Sequence, residues 1–360
     1  MSFEISNVNT MREAMLYDRL PSDAARCNIC QWRCRINPGK YGACETRLNE
    51  NGTLCSLIYG EVSSVAVDPI EKKPLFHFHP GSQVFSLGTW GCSFHCRHCQ
   101  NWQISYARHQ GGVWMVEGSQ VSGGERLIPE ESVDLARRHG CAGIAWTYNE
   151  PSIWLEYTLD GARLARSQGL YTAYVTNGFI TPEALDTIGP YLDAYRVDVK
   201  GFSDSAYSRL ARIPKGRWQG ILDVAVRARQ RWNMHVEVVT NVVPGHNDDE
   251  GQIRAIAEWI RDSLGPETPW HITRFFPHAE LSDVAPTPVE TLRQARQIGR
   301  EAGLHFVYLG NVADDAGEDT YCPGCHKKVI QRNGYHARIL SVSPGGKCGH
   351  CGANLNVRGI

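Results

Sequence analysis

A chain of 360 residues with 42% hydrophobic and 21% charged side chains has the make-up of a soluble globular protein, long enough for one sizeable core plus small appendages. Its formal net charge of -1 supplies no global basic field for nucleic acid or an anionic membrane surface. No apolar run approaches bilayer length and residues 1–7 lack the basic-then-apolar pattern of a secretory leader, so a cytoplasmic location is expected.

In that reducing compartment the thirteen cysteines read as metal ligands rather than disulfides. Three parts follow in chain order: a cysteine-rich segment over 1–60, a β/α region over 61–312, and a zinc-ribbon-like tail over 313–360. The first part carries Cys27, Cys30, Cys34 and Cys44, four thiolates that suit either structural zinc or an auxiliary iron–sulfur cluster. Cys55 and Cys141 stand alone and read as small core residues. Residues 68–81, with Lys72, Lys73, His77 and His79, read as a lid or substrate-side loop.

Seven strands are expected at 84–87, 143–147, 171–176, 194–199, 235–240, 271–275 and 305–309. They are rich in Val, Ile, Tyr and Thr, and several lack strict alternation, as strands buried on both faces do. Helical stretches lie between them at 129–139, 152–168, 248–263 and 288–302, three of them followed by glycine. The fold class is therefore α/β: a full or partial parallel barrel, with an open doubly wound sheet as the alternative.

Just past the first strand, Cys92, Cys96 and Cys99 are spaced C-x3-C-x2-C. Three thiolates on one loop can hold three irons of a [4Fe–4S] cube and leave the fourth open to an outside ligand. With His95 and His98 nearby, a mixed Cys/His zinc site is the competing reading. In parallel α/β folds the chemistry sits at the C-terminal strand ends. Glu150, Asn177, Asp198, Lys200, Asn241, Arg274, His278 and Asn311 fall there. For Glu150 a loop cap, for Asp198 and Lys200 a plain ion pair, and for His278 a structural hydrogen bond are the alternatives.

In the tail, Cys322 and Cys325, then Cys348 and Cys351, form two C-x2-C knuckles separated by 22 residues. That spacing suits a tetrahedral zinc ribbon, with a rubredoxin-like iron as the alternative. Zinc there would fold a tail too small for a core of its own. Lys327, Lys328, Arg332 and Arg338 read as a solvated basic face rather than a nucleic-acid surface.

The cysteine triplet resembles the signature of radical S-adenosylmethionine enzymes. Together with Asp68-Pro69-Ile70-Glu71-Lys72-Lys73-Pro74-Leu75, Cys99-Gln100-Asn101-Trp102, Thr147-Tyr148-Asn149-Glu150-Pro151 and His271-Ile272-Thr273-Arg274-Phe275-Phe276-Pro277, it resembles the AmmeMemoRadiSam subfamily, a relative of the pyruvate formate-lyase activating enzymes. The resemblance implies a partial (β/α)6 TIM-like barrel and one [4Fe–4S] cluster whose open iron binds S-adenosyl-L-methionine. It further implies reductive cleavage to a 5′-deoxyadenosyl radical that abstracts hydrogen from an unidentified substrate. Of the family's Gly-Gly-Glu, Tyr148-Asn149-Glu150 keeps only the glutamate, expected on the methionyl ammonium. Asn177 is expected near the ribose and methionine, Lys200 on the cofactor carboxylate with Asp198 organising it, and His98 and His278 among the cofactor-binding residues. The substrate class stays open between a small molecule and a protein glycine. Implied partners are an electron donor such as flavodoxin or ferredoxin, and Memo-like and AMMECR-like proteins. A multi-zinc module binding protein or nucleic acid, and a radical enzyme of methyl transfer or tRNA chemistry, are the competing readings.

Overall fold

A computed structural model describes residues 11–121, 124–312 and 316–360; the leader reading of residues 1–7 lies outside them. The chain divides into two compact units, each assembled from separate stretches. The first takes residues up to Val67, Val84–His95 and Cys99–Asp193, and the second takes Asp68–Gln83, Cys96–His98 and Ala194–Ile360.

In the first unit, strands β1 (Gln83–Gly88), β2 (Gly143–Trp146) and β3 (Tyr171–Thr176) run parallel with β2 in the middle. Every residue of β2 and β3 is buried, which is why their sequences do not alternate. Gly143 has to be glycine, since a Cβ there would stand 2.1 Å from the Tyr171 ring. Helix α1 (Pro129–Arg138) opens with Pro at its first position, and Glu131 accepts the Ile128 N–H at 2.9 Å. Helix α2 (Leu155–Ser167) is preceded by a 3-10 turn over Pro151–Trp154, and α3 (Pro182–Ile188) is capped by Thr181.

The N-terminal hairpin of Arg47–Glu50 and Thr53–Ser56 is tied to α2 by a fully buried ion pair. Arg47 donates to both oxygens of Glu156 at 2.8 and 2.7 Å and to the Ile153 carbonyl at 2.7 Å. Glu156 also accepts the Met15 N–H at 2.9 Å, so the desolvated charges are compensated by hydrogen bonds.

The second unit orders four parallel strands, β4 (Ala194–Asp198), β5 (His235–Val242), β6 (Trp270–Arg274) and β7 (Val307–Gly310). Helices α4 (Asp204–Ala211), α5 (Gln219–Gln230), α6 (Glu250–Trp259) and α7 (Val289–Glu301) connect them. Registers Arg196↔Glu237, Val239↔His271 and His271↔Tyr308 line polar side chains along one sheet face. Glu237 is fully buried there and accepts from His235 at 2.9 Å and His271 at 2.6 Å.

Its remaining donors come from the 68–83 stretch. The Phe76 and His77 N–H groups reach Glu237 at 3.1 and 2.8 Å, and the Phe76 ring lies edge-on to His271 with centroids 4.6 Å apart. Of the residues in the expected lid or substrate-side loop over 68–81, His77 is 0% and Lys73 3% exposed and both pack into the unit, which does not suit a mobile lid, while Lys72 stays exposed. The carboxylate of Glu237 needs amide donors, and the stretch supplies them. Lys73 is held by Asp68 at 2.7 Å.

The tail packs into an apolar cluster of its unit. Cys322, Val329, Ile330, Leu355 and Val357 share one apolar cluster with Phe76, Phe306 and Tyr308. Arg332 seals the contact, donating to the Phe76 carbonyl at 2.6 Å with its guanidinium 4.1 Å above the Phe76 ring.

Replacing Glu156 by Gln is expected to cost ~3–5 kcal/mol in denaturant unfolding, because it leaves the Arg47 charge buried and unpaired. Arg12→Ala, which removes an exposed pair to Asp160, is expected to cost below ~1 kcal/mol. Burial, opposed by Glu237, pushes the His77 imidazole down to about 3. The unfolded chain therefore binds the extra proton below its ordinary value of about 6.5, and stability is lost as pH falls from there toward 3. His77→Gln should reduce the slope of unfolding free energy against pH in that window by about 1.4 kcal/mol per pH unit.

Candidate metal centre

The loop that leaves β1 turns at Gly91, whose φ is +77°. A Cβ at Gly91 would stand 2.6 Å from the Cys44 carbonyl oxygen and from the Thr46 methyl group, so only glycine fits. Asn149, just beyond β2, clasps the turn from the other side: its amide donates to the Gly91 carbonyl at 2.6 Å and its oxygen accepts the Thr89 N–H at 3.2 Å. Asn101 donates to the Tyr148 carbonyl at 2.7 Å, which fixes the chain just after Cys99.

Cys92 follows Gly91, and amide hydrogens point at its sulfur. The Phe94 N–H lies 3.4 Å away and the Asn177 amide 3.9 Å away, and that same amide donates to the Ser93 hydroxyl at 3.0 Å. Such donors favour a thiolate over a thiol. Asn177 is itself placed by Glu150, which accepts its backbone N–H at 2.7 Å.

Glu150 is 1% exposed. One oxygen takes the Ser152 N–H at 3.0 Å and the Thr176 hydroxyl at 2.7 Å; the other takes the Asn177 N–H and the same hydroxyl at 2.9 Å. Burial pushes its pKa up while these donors pull it down, with a net rise. Its acceptor positions are thus filled by the chain's own donors, and its effect runs through Asn177.

The second unit gathers Cys96, His98, Asp198 and Lys200. Asp198 accepts from Lys200 at 3.0 Å and is paired with Arg196 as well. Burial opposes the Lys200 charge, but Asp198 and the Cys96 sulfur favour it, and the ammonium is held more firmly than usual. His98 is 9% exposed, and its Nδ1 has no hydrogen-bond partner among the described residues. Burial, with Lys200 adding to it, pushes its imidazole down to about 3.

The backbone around these residues is pinned: Arg97 N–H to the Leu210 carbonyl at 2.9 Å, and Leu281 N–H to the Arg97 carbonyl at 3.1 Å. His278 opens the turn at Ala279–Leu281, and no described contact joins its ring to Asp198 or Lys200. Asn247, fully buried, donates to the carbonyls of Lys200 and Asn241, each at 2.9 Å.

Cys92 and Cys99 thus belong to the first unit and Cys96 to the second, the three linked by their covalent spacing. In the first unit amide hydrogens face the Cys92 thiol; in the second, Lys200 lies near Cys96 and His98 is buried. The His95 ring stacks on Tyr106 at 5.3 Å.

Two further cysteine sets are visible. In the tail, Cys322 and Cys351 sulfurs lie 3.5 Å apart, Cys325 and Cys348 3.7 Å apart, and all four ligand atoms fall within 4.8 Å of one another. A single tetrahedral ion bound through ~2.3 Å bonds fits that spacing. The set of Cys27, Cys30, Cys34 and Cys44 lies in the first unit. None of the thirteen cysteines is disulfide-bonded, and Cys55 and Cys141 are buried, as expected of core residues.

Residues 88–260 match the Radical SAM superfamily. Uncharacterized protein MJ0808 of Methanocaldococcus jannaschii is 40% identical over 96% of this chain and 99% of its own. The pyruvate formate-lyase 1-activating enzyme of Escherichia coli K12 is 23% identical over 61% of this chain and 89% of its own. A domain of the pyruvate-formate lyase-activating enzyme from Bacteroides vulgatus superposes with a TM-score of 0.40 at 19% identity, covering 47% of this chain and 99% of that one.

In Glu150→Gln, either orientation of the amide sets an N–H₂ against the backbone N–H of Ser152 or Asn177. Unfolding free energy is expected to fall by about 1–3 kcal/mol, read by denaturant titration.

Proposed function

This chain belongs to the radical SAM superfamily and is related to the pyruvate formate-lyase activating enzymes; we propose that Cys92, Cys96 and Cys99 hold its [4Fe–4S] cluster and that it cleaves S-adenosylmethionine reductively. The observation that carries this reading is the C-x3-C-x2-C loop after the first parallel strand, with amide donors on the Cys92 sulfur and Lys200 beside Cys96. The bound cluster and S-adenosylmethionine would supply a 5′-deoxyadenosyl radical that takes hydrogen from a substrate.

The chain's own groups divide the remaining work. Lys200, kept charged by Asp198, offers an ammonium to the methionyl carboxylate. Asn177 steadies Cys92 and Ser93, and Glu150 acts as a positioning group by holding the Asn177 backbone. Asn149 keeps Gly91 in its turn, and thereby sets where the first thiolate points. His98 and His278 complete the expected cofactor side. We assign the tail's four cysteines to one zinc ion, supported by their tight spacing. The quoted segments support the AmmeMemoRadiSam subfamily and a partial barrel, and with them association with Memo-like and AMMECR-like proteins, a flavodoxin- or ferredoxin-type donor, and a cytoplasmic setting. The substrate is a small molecule or a protein glycine. No described helix is long and apolar enough to cross a membrane.

Anaerobic reconstitution followed by S-adenosylmethionine and a reductant tests the reading. Formation of 5′-deoxyadenosine is expected, falling to background when any of Cys92, Cys96 or Cys99 is changed to Ala. S-adenosylhomocysteine as the product would instead point to methyl transfer, and turnover surviving in the triple variant would end the assignment.

A further inference from the structure

We propose that Cys27, Cys30, Cys34 and Cys44 hold a second, four-cysteine iron–sulfur cluster that passes single electrons to the Cys92 centre. The local fold already gathers the four thiols. The hairpin of Ala25–Cys27 and Arg35–Ile36 sets Cys27 opposite Cys34, with the Cys27 N–H on the Cys34 carbonyl at 3.0 Å. The turn between them carries Cys30, closed by the Arg33 N–H on its carbonyl at 3.0 Å. Cys44 arrives from the next turn, where the Ala43 N–H points at the Cys34 sulfur at 3.5 Å. Cys30 lies within electrostatic reach of the other three sulfurs, and Cys27 within reach of those of Cys34 and Cys44. The buried Arg47 guanidinium, fixed by Glu156, faces Cys27 and Cys44 and offsets the negative charge that a thiolate-ligated core carries.

Spacing separates this set from the tail. Thiolates on one ion at ~2.3 Å stand about 3.7 Å apart, as the tail's sulfurs do. Among the described residues, the tail set is the group whose ligand atoms gather within 4.8 Å of one another; the N-terminal sulfurs keep a wider spread. A four-iron core takes each thiolate on a different iron, which sets the sulfurs farther apart than ligands of one ion. The wider set suits the polynuclear core.

Its position suits electron transfer. The Cys44 carbonyl abuts Gly91, the residue before Cys92, and the Trp32 indole donates to the Ser93 carbonyl, the residue after it, at 2.7 Å. The Gln31 N–H donates to the Phe179 carbonyl at 2.9 Å, and the Phe179 N–H in turn reaches Asn177, whose amide faces Cys92. A redox-inert ion would gain nothing from that adjacency. In the relay, a low-potential one-electron carrier protein reduces the N-terminal cluster, which is reoxidised as that electron passes to the cluster at Cys92; no bond forms or breaks. The relay half rests on the radical reading above, whereas the metal assignment does not.

The test uses the full chain purified anaerobically, with iron, sulfide and zinc analysis and electron paramagnetic resonance of the reduced protein. Wild type is expected to hold about eight irons, the C92A/C96A/C99A variant about four with a reduced-cluster signal, and the C27S/C30S variant about four. Iron lost entirely from the triple variant, with two zinc ions per chain, would overturn the inference. A triple variant that keeps all the wild-type iron would sink the Cys92 assignment and leave the N-terminal cluster standing. Should C27S/C30S fail to fold, wild type decides: two interacting spin systems support the proposal, and about four irons with two zincs reject it. The relay predicts that a flavodoxin-type donor reduces the Cys92 cluster more slowly in C27S/C30S than in wild type; an unchanged rate refutes that half.

Discussion

A carboxylate taken out of water draws every donor within reach, and this chain is arranged around several of them. Glu150 collects amides and a hydroxyl from the loops that follow β2 and β3, Glu156 collects Arg47 and the Met15 amide, and Glu237 collects two histidines and two backbone amides. Each unmet acceptor would cost on the order of 1–3 kcal/mol, so segments distant in sequence are fixed wherever they meet one. The geometry around Cys92 follows: Glu150 sets Asn177, and Asn177 sets the donors on the sulfur. The placing of the Cys92 sulfur therefore rests on hydrogen-bond saturation one residue back from its neighbours.

What could be read in the sequence was whatever is local. The strands at 143–147 and 171–176 are visible because burial on both faces demands an apolar run, and the structure ends them within a residue of the expected bounds. The cysteine triplet stands out because its pattern is one of spacing, a local property of the sequence. Helices α3, α4 and α5 escaped notice: α3 is a short run ended by Gly189 and Pro190, α4 is only eight residues, and α5 starts without a capping side chain. The continuous helix expected over 248–263 instead ends at Trp259 and loosens into a π turn over Ile260–Leu264.

Non-local pairings were hidden. Lys72, Lys73, His77 and His79 suggest an exposed loop because charged and titratable residues usually face water. Lys72 does stay exposed, but Lys73 is buried against Asp68 and His77 is buried with its N–H on Glu237, 160 residues onward, and nothing near either stretch announces that match. Asn149 and Asn247 are hidden for the same reason, since a bridging amide looks like any loop asparagine until both of its backbone partners are in place. Glu150 stands out in the sequence as a carboxylate at a strand end, but its filled acceptors are not legible there.

The pairing between residues near 77 and residues near 357 sets an order of events during synthesis. The His79 N–H donates to the Arg358 carbonyl and the Arg358 N–H to the His77 carbonyl, each at 2.8 Å, while the His77 ring meets the Leu355 carbonyl. A ribosome emitting residues one by one delivers the early half of this clasp well before the late half. Until Leu355 and Arg358 emerge, the His77 ring and the backbone at 77–79 lack these partners, so this corner of the second unit closes only after the tail has been made.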